Sequence, residues 1–226
     1  MSPTVSLPHL NRIAVVIPAL NEARAIAGVV AGSSIYGTPI VVDDGSKDET
    51  AILATRAGAV VVKHDVNRGY DAALESGLFR AIELGFEFAV TLDADGQHFP
   101  QTLQFFITEL YNGSDLVVGT RDRHQRFAES VFSVVGNFLW GVRDPLCGMK
   151  GYKLSHLAKL GYFDSYQSIG TEFTLRCARS GLNIRNVPVP TQHRVGLSRF
   201  GSGLRPNFKI LRALAVGLVR ATTFKK

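Results

Sequence analysis

The chain has 226 residues, of which 46% are hydrophobic and 19% charged, a composition that excludes a disordered protein and suits one domain. Its 25 Lys and Arg against 19 Asp and Glu give a formal charge of +6, which favours anionic partners: phosphates, nucleic acid or an acidic membrane surface. The two cysteines fit neither a disulfide framework nor a metal-binding spacing, so we expect a reducing, cytoplasmic setting. No apolar run reaches the roughly 18 residues that span a bilayer, and residues 1–11 lack a signal-peptide pattern.

Short, continuous apolar runs in the first half predict strands that are buried on both faces. These runs are 13–17, 39–42, 59–62, 88–92 and 116–118. Amphipathic segments between them predict helices at 21–31, 48–57, 70–84 and 100–111. Asn21 and Asp48 are favourable N-cap residues, and Pro100 suits the first helical position. The alternation predicts an α/β fold, a single-domain, doubly wound, mostly parallel sheet of Rossmann-like type.

The second half is less regular. The spacing predicts helices over 126–142, 170–180 and 207–222, a loop over 143–152 and an extended segment at 187–190. From Arg176 to Lys226 there are many basic residues and no acidic one, which favours an end that faces an anion or a membrane over a tail that serves only solubility. We therefore expect an N-terminal extension at 1–11, a main domain at 12–206 and a basic amphipathic helix at 207–226.

Polar clusters follow four of the predicted strands, at the edge where a doubly wound sheet binds its ligands. They are Pro18-Ala19-Leu20-Asn21-Glu22, Asp43-Asp44-Gly45-Ser46, Asn67-Arg68-Gly69 and Asp93-Ala94-Asp95-Gly96-Gln97-His98. Each cluster is also ordinary turn chemistry, but four of them on one edge favour a binding site over four independent turns.

The pair Asp93 and Asp95 is the strongest candidate for chemistry. Residues two apart in an extended segment point the same way, so both carboxylates would project from the end of a buried strand. Such a pair suits Mg²⁺ or Mn²⁺, with Gln97 adding a neutral oxygen, and the ion would stabilise a departing diphosphate. The alternative is a solvated acidic turn before the helix at Pro100. Asp44 is the matching candidate for binding a nucleobase or ribose.

Several enzyme classes lack their signatures in this sequence. There is no G-x-G-x-x-G after the first strand, no G-x-x-x-x-G-K-[ST] and no G-x-S-x-G. A dinucleotide oxidoreductase, a P-loop enzyme and an α/β-hydrolase are therefore disfavoured.

The segments 17–22, 42–48 and 92–98 resemble, in that order, the signatures of family-2 glycosyltransferases. More narrowly, they are similar to the branch of dolichyl-phosphate mannose synthases and polyprenyl-phosphate glycosyltransferases. Further matches are Asn67-Arg68-Gly69, Gly119-Thr120-Arg121, Asp144-Pro145-Leu146-Cys147-Gly148 and Arg194-Val195-Gly196-Leu197-Ser198-Arg199. The resemblance extends over roughly residues 12 to 200. It departs from the branch at Leu20, where an aromatic residue is usual, at Cys147 and at Arg199.

This resemblance implies a fold of the glycosyltransferase A type and an inverting, metal-dependent transfer from a nucleotide sugar, a GDP- or UDP-sugar, to a polyprenyl phosphate. Asp93, Asp95 and Gln97 would hold Mg²⁺ or Mn²⁺. Asp95, Arg121 and Arg199 would be catalytic. The donor and acceptor would contact Pro18, Leu20, Glu22, Val42, Asp44, Asp93, Ala94, Asp95, Arg121, Arg194 and Arg199.

The residue types fit this chemistry. A lipid phosphate is already an anion, so it needs cations to position it but no general base, and guanidinium groups bind phosphate well. A hydroxyl acceptor on a lipid-linked or cell-surface glycan would need a base, for which Glu172 is the best candidate. A binding protein without catalysis and a nucleotidyltransferase are further alternatives.

The last helix and the segment 126–142 bear on where the protein works. Apolar and basic residues alternate along 207–226 in a pattern typical of a helix lying on a membrane surface, against the alternative of a helix packed on the domain. We therefore expect peripheral contact with the cytoplasmic face of the membrane. Nucleic acid is not expected as a partner.

Overall fold

The computed structural model describes residues 10–122, 126–190 and 204–223. Its seven strands are β1 Ile13–Ala19, β2 Thr38–Asp43, β3 Val60–Lys63, β4 Phe88–Thr91, β5 Leu116–Arg121, β6 Lys150–Lys153 and β7 Ile184–Val189. Its eight α-helices are α1 Ile26–Ser33, α2 Thr50–Arg56, α3 Tyr70–Glu83, α4 Leu103–Tyr111, α5 Phe127–Trp140, α6 Leu154–Leu160, α7 Glu172–Arg179 and α8 Leu204–Thr223. Short 3₁₀ turns precede β1 and α4.

All seven strands form one sheet in the order β3-β2-β1-β4-β6-β5-β7. Every pairing is parallel except those of β6, which runs antiparallel to both β4 and β5. The expected doubly wound, mostly parallel α/β sheet is confirmed. The segment 143–152, expected as a loop, ends in strand β6.

Two apolar layers cover the two faces of the sheet. One layer packs α1, α2 and α4 against the sheet, with Phe106 and Ile26 fully buried. The other packs α3, α6 and α7, with Leu78 and Phe163 fully buried. Burial on both faces explains why the strands read as continuous apolar runs rather than alternating ones.

Helix α8 packs on α5 and α7 through a third apolar cluster. Its buried members on α8 are Ile210, Ala213 and Leu214, each less than a tenth exposed. The helix begins at Leu204, three residues before the predicted boundary. Within the described ranges, no helix combines the length and the hydrophobicity that a bilayer-spanning segment needs.

The predicted N-cap at Asn21 is wrong, whereas Asp48 lies one residue before the N-cap position of α2, Glu49, and its side chain caps the first helical N–H, that of Thr50. Helix α1 begins only at Ile26, and the side chain of Asn21 instead accepts the backbone N–H of Lys47 at 2.8 Å. The Asp48 carboxylate accepts the backbone N–H groups of Thr50 and of Ala23. Both residues tie one loop to another, a role that spacing along a single element does not reveal.

Candidate active site

The site lies where the carboxyl ends of β1, β2 and β4 meet. Because β6 runs the opposite way, its first residues, from Lys150, reach the same edge of the sheet. This is the edge at which open α/β sheets bind ligands. The reversed strand therefore adds residues from the second half of the chain to a site begun by the first half.

The loops after β1 and β2 are joined by hydrogen bonds between backbone and side chains. The backbone N–H of Asn21, a residue in the left-handed region at φ 50°, donates to Ser46 Oγ at 2.8 Å. The backbone N–H of Glu22 donates to Thr50 Oγ1 at 2.8 Å, and Glu22 is itself buried. These bonds fix the two loops relative to each other. The adjacent Pro18 and Leu20, which the resemblance implies as contacts of the donor or acceptor, are left partly exposed.

Asp44 is the centre of a buried hydrogen-bond network. Its Oδ1 accepts His64 Nδ1 at 2.7 Å and the backbone N–H of Arg68 at 2.8 Å, and its Oδ2 accepts the backbone N–H of Gly69 at 2.8 Å. His64 Nε2 lies 2.9 Å from Ser76 Oγ. A carboxylate has about four acceptor positions, so the three bonds described leave room for a ligand donor on Oδ2.

Asp93 and Asp95 occupy different environments. Strand β4 ends at Thr91, so Asp93 and Asp95 follow it in a turn rather than in the extended backbone that the sequence argument assumed. The Asp93 side chain is 32% exposed, whereas Asp95 is only 6% exposed. Asp95 Oδ1 accepts the backbone N–H of Gln97 at 3.0 Å. Asp93 is therefore the more accessible of the two carboxylates.

The donor set around these carboxylates fits a hard divalent ion. Mg²⁺ commonly binds one or two carboxylates and completes its shell with water and substrate phosphates. No group of three or more His, Cys, Asp and Glu side chains within the described residues is placed to hold a metal, so a diphosphate and Gln97 would have to supply the remaining oxygens. His98 Nδ1 is buried, lacks a hydrogen-bond partner among the described residues and lies 3.7 Å from Asp93 Oδ2.

Gly148, just before β6, approaches Asp93 very closely. A Cβ atom at position 148 would lie 2.6 Å from Asp93 Oδ2 and 2.8 Å from Oδ1, closer than non-bonded atoms approach. We therefore expect Gly148→Ala to displace the Asp93 carboxylate and lower activity at least about tenfold, because small misplacements of reacting groups are costly. The fold should be nearly unaffected, since a side-chain carboxylate can move.

Activity and melting temperature together test this prediction. Gly28→Ala is the matched control, because a Cβ on that exposed helical residue meets nothing within 4 Å. A Gly148→Ala protein with unchanged turnover would show that the Asp93 position does not matter.

Arg121 is held by two buried carboxylates. Its Nε and one terminal nitrogen donate to the two oxygens of Asp144 at 2.7 and 3.0 Å, a bidentate geometry. The same guanidinium lies 3.2 Å from Glu129, which also accepts Arg126 at 3.0 Å. Asp144 and Glu129 are each less than a tenth exposed. The positive charge of Arg121 is therefore compensated within the protein, a property that no motif in the sequence predicts.

The remaining predicted site residues are Val42, Ala94, Arg194 and Arg199, and Cys147 belongs to one of the matched motifs. Val42 and Ala94 are buried, so their side chains make almost no surface available to a ligand. Cys147 is fully buried, and burial raises the pKa of its thiol to about 12, so it stays protonated at neutral pH. Arg194 and Arg199 lie outside the described residues, and their roles stay predictions.

A cleft of about 1250 Å³ opens beside Asp44. Its walls are the ends of β1 and β2, residues 67–73 at the start of α3, the turn 164–169 and the first turns of α8. It is larger than the roughly 300–1,000 Å³ of most ligand pockets, so it has room for more than a nucleoside. Pro18, Leu20 and Asp44, all predicted to contact the donor or acceptor, line it.

The turn 164–170 is clamped to α3 despite a strained backbone. Ile169 has φ 59°, which is rare for a β-branched residue. Asp71, from the first turn of α3, accepts the backbone N–H groups of Ile169 and Gly170, and Lys150 Nζ donates to the Gly170 carbonyl at 2.7 Å. Burial, with the nearby charge of Asp164, raises the pKa of Asp71 to about 6, and burial lowers the pKa of Lys150 to about 8.

Glu172, the candidate base for a hydroxyl acceptor, is also held internally. It is 4% exposed, and its oxygens accept the backbone N–H and the hydroxyl of Ser165 at 2.6 and 2.9 Å. It begins α7, where a carboxylate is favoured by the helix dipole. The geometry favours a structural role for Glu172 over proton abstraction.

Sequence reasoning missed several residues around the site. His64 and Lys150 carry no motif that marks them, and only their burial beside the sheet edge reveals them. Arg68 and His98 lie within the motifs quoted above, yet neither was assigned a role. Asp71 was invisible because its partners are about a hundred residues away.

Comparisons with known proteins agree with this architecture. A family model described as "Glycosyl transferase family 2" matches residues 14–133. The UDP-N-acetylglucosamine–dolichyl-phosphate N-acetylglucosaminyltransferase of Methanococcus voltae is 30% identical over 237 residues, 89% of this chain and 94% of that protein. The polyprenol monophosphomannose synthase of Mycolicibacterium smegmatis is 30% identical over 223 residues, 86% of this chain and 83% of that protein.

Solved structures share the fold. Glucosyl-3-phosphoglycerate synthase from Mycobacterium tuberculosis, in complex with Mn²⁺, uridine diphosphate and phosphoglyceric acid, matches with a TM-score of 0.73 and 25% identity. The match covers 96% of this chain and 80% of that one. The same enzyme has also been solved with Mg²⁺ and uridine diphosphate.

Proposed function

Because this chain belongs to glycosyl transferase family 2 and is a glycosyltransferase, we propose that it moves a sugar from a nucleotide sugar to a polyprenyl phosphate, with inversion at the anomeric carbon. The observation that decides between a phosphate and a hydroxyl acceptor is that Glu172 is buried and hydrogen-bonded within the protein. Its oxygens accept bonds from Ser165, so it is poorly placed to deprotonate a hydroxyl. A phosphate acceptor needs no such base. Relatives named for dolichyl-phosphate and polyprenol substrates support the same acceptor.

In the proposed reaction, an oxygen of the acceptor phosphate attacks the anomeric carbon while the bond from that carbon to the donor diphosphate breaks. Asp44 holds the nucleoside through its remaining acceptor position, and the backbone N–H groups of Arg68 and Gly69 keep its carboxylate in place. Asp93, Asp95 and Gln97 would hold a Mg²⁺ or Mn²⁺ ion. When bound, the ion neutralises the charge that develops on the leaving nucleoside diphosphate.

Uridine and guanosine diphosphates are both candidate leaving groups. Leu20 on the cleft wall offers an apolar contact to either base and does not distinguish them. Uridine diphosphate in the Mycobacterium tuberculosis structures favours a UDP-sugar donor.

An acceptor assay tests the proposal. Purified protein with Mn²⁺ and a UDP- or GDP-sugar should release nucleoside diphosphate at least about tenfold faster with polyprenyl phosphate than with a soluble glycan, because only the phosphate is already ionised. Glu172→Gln, which keeps the size of the side chain, should retain most of this activity. Equal release with the glycan, combined with loss of activity in Glu172→Gln, would overturn the phosphate acceptor in favour of a hydroxyl.

We propose further that α5 and α8 rest on the cytoplasmic face of an acidic membrane. Both helices leave large apolar side chains exposed, including Phe127 at 79% and Phe138 at 87% on α5 and Phe208 at 72% on α8. The starts of the two helices are adjacent, since Asn207 Oδ1 accepts the backbone N–H of Ala128 at 3.4 Å. The net charge of +6 complements anionic lipid.

Co-sedimentation with vesicles tests this surface. The protein should bind vesicles containing anionic lipid, and Phe138→Asp should weaken binding several-fold because the apolar contact is lost. Ile35→Asp is the matched control, since Ile35 is 65% exposed but lies beside α1. Unchanged binding of Phe138→Asp, or equal loss in both variants, would contradict the assignment.

A further inference from the structure

The carboxylates that line the cleft are already bonded to the protein backbone. Each accepts at least one backbone N–H group, which comes from the same turn for Asp164 and from a distant segment of the chain for the other three. These acids are Asp44, Asp71, Glu75 and Asp164. Their negative charge is therefore partly neutralised by backbone dipoles, and each has fewer acceptor positions left for a ligand than a carboxylate without such bonds.

The basic side chains of the same cleft, unlike its carboxylates, have donors that no described residue accepts. Arg68, beside the start of α3, and Lys209, on α8, both line the cleft and are exposed. Within the parts of the chain that the structure describes, neither side chain makes an ion pair. Arg212, one helical turn beyond Lys209, donates one N–H to the Tyr166 carbonyl at 3.0 Å and keeps its other donors. Among the described residues, the cleft therefore offers positive charge without an ion-pair partner from two different elements, the start of α3 and α8.

These cations differ from Arg121 in what they can do. The guanidinium of Arg121 is compensated by Asp144 and Glu129, so an incoming phosphate must compete with two carboxylates. Arg68 and Lys209 present no such competition among the described residues. Phe208 lies next to Lys209 on the cleft wall and is 72% exposed, which gives the same region an apolar contact.

We propose that Arg68 and Lys209, assisted by Arg212, form a phosphate-binding subsite that bridges the start of α3 to α8. The subsite rests on the proposed function for the source of its phosphate, which is either the donor diphosphate or the phosphate of the prenyl acceptor. In both cases the bound anion fastens α8 against the body of the domain, because its two sets of cations belong to different walls of the cleft.

Binding measurements without turnover test the subsite. The probes are uridine diphosphate with Mg²⁺, guanosine diphosphate with Mg²⁺ and farnesyl phosphate, each titrated by calorimetry into the full chain. Arg68→Gln and Lys209→Gln should each weaken at least one probe by about tenfold or more, since a hydrogen bond to a charged group contributes roughly 1.5–3 kcal/mol. Arg56→Gln and Lys159→Gln are matched controls on the exposed faces of α2 and α6.

The pattern of loss identifies the source of the phosphate. Weaker binding of the nucleotides alone assigns the subsite to the donor, and weaker binding of farnesyl phosphate alone assigns it to the acceptor. Hydrogen exchange of the 207–212 amides should slow when the affected probe binds to the natural protein and should not slow in Lys209→Gln. Natural affinity of both variants for all three probes would overturn the subsite.

The test separates this proposal from the proposed function. Transfer to polyprenyl phosphate together with unchanged binding in the variants would refute the subsite and leave the function standing. Loss of probe binding in the variants, without transfer to polyprenyl phosphate in the natural protein, would support the subsite and refute the acceptor.

Discussion

Replacing Asp95 by asparagine should lower the rate of sugar transfer by about a thousandfold while the fold is retained. A bound divalent ion stabilises a developing charge by several kcal/mol, and each 1.4 kcal/mol corresponds to a factor of ten in rate. Asparagine keeps the size of the buried side chain and one acceptor oxygen for the Gln97 N–H, but it removes the negative charge. Release of nucleoside diphosphate over a range of Mn²⁺ concentrations measures the effect.

The matched control is Asp65→Asn, on an exposed loop after β3. It removes the same charge from an exposed position outside the 93–97 turn and should change the rate less than about twofold, in keeping with the small effects of isolated surface charges. Full activity of Asp95→Asn at every Mn²⁺ concentration would refute the metal site. An equal loss in Asp65→Asn would indicate a general electrostatic effect instead.

Replacing Asp144 by alanine should destabilise the protein by about 3 kcal/mol or more. Asp144 is 1% exposed and makes a bidentate pair with Arg121, whose side chain is only 16% exposed. Removing one partner of a buried pair leaves the other charge without its partner, which typically costs about 3–5 kcal/mol. Glu129 remains beside Arg121 and keeps the expected loss at the lower end of that range.

Denaturant unfolding measures this loss, and a double-mutant cycle assigns it. Arg121→Met removes the cation, so the double variant Arg121→Met/Asp144→Ala should be less unstable than the sum of the single variants predicts. Strict additivity would show that the pair does not contribute as a unit. The exposed Asp122, next to Arg121, supplies the control Asp122→Ala, expected to change stability by less than about 0.5 kcal/mol.

Much of the sheet was predictable because its central strands are apolar without interruption. Residues 13–17 and 39–42 lie inside β1 and β2, which are buried on both faces, and burial of that kind leaves a clear record in the sequence. The approximate position of the site was predictable for a related reason. Polar residues that follow parallel strands lie at the carboxyl edge of the sheet, whatever the conformation of each turn.

Strand β6 was missed because its sequence carries no pattern. It reads Lys-Gly-Tyr-Lys, with Lys150 and Tyr152 buried and a glycine between them. Lys150 tolerates burial because its ammonium donates to the Gly170 carbonyl, a partner twenty residues away. The strand propensity of a short segment does not reflect such a distant contact, so tertiary structure can stabilise a strand that local propensity does not predict.

The ion-pair partners of the arginines were likewise not predictable from the sequence. Motif order drew attention to Arg121, but only the folded structure places Asp144 and Glu129 around it. Arg68 and Lys209 are 141 positions apart, the difference between their numbers, and their common cleft appears only when α8 is placed. Charge compensation depends on distance in space, which a single sequence does not give.

The reversed strand β6 also has a consequence for synthesis of the chain on the ribosome. The loops after β1, β2 and β4 have been synthesised once residue 98 has emerged. Gly148, which packs against Asp93, and Lys150, which donates to the Gly170 carbonyl in the turn 164–170, follow some fifty residues later. Because a chain emerges from its N-terminus onwards, a nascent chain can assemble the carboxylate side of the site well before the opposite wall exists. The nascent chain should therefore become catalytically active late in translation, when β6 has been synthesised and pairs antiparallel to β4 and β5.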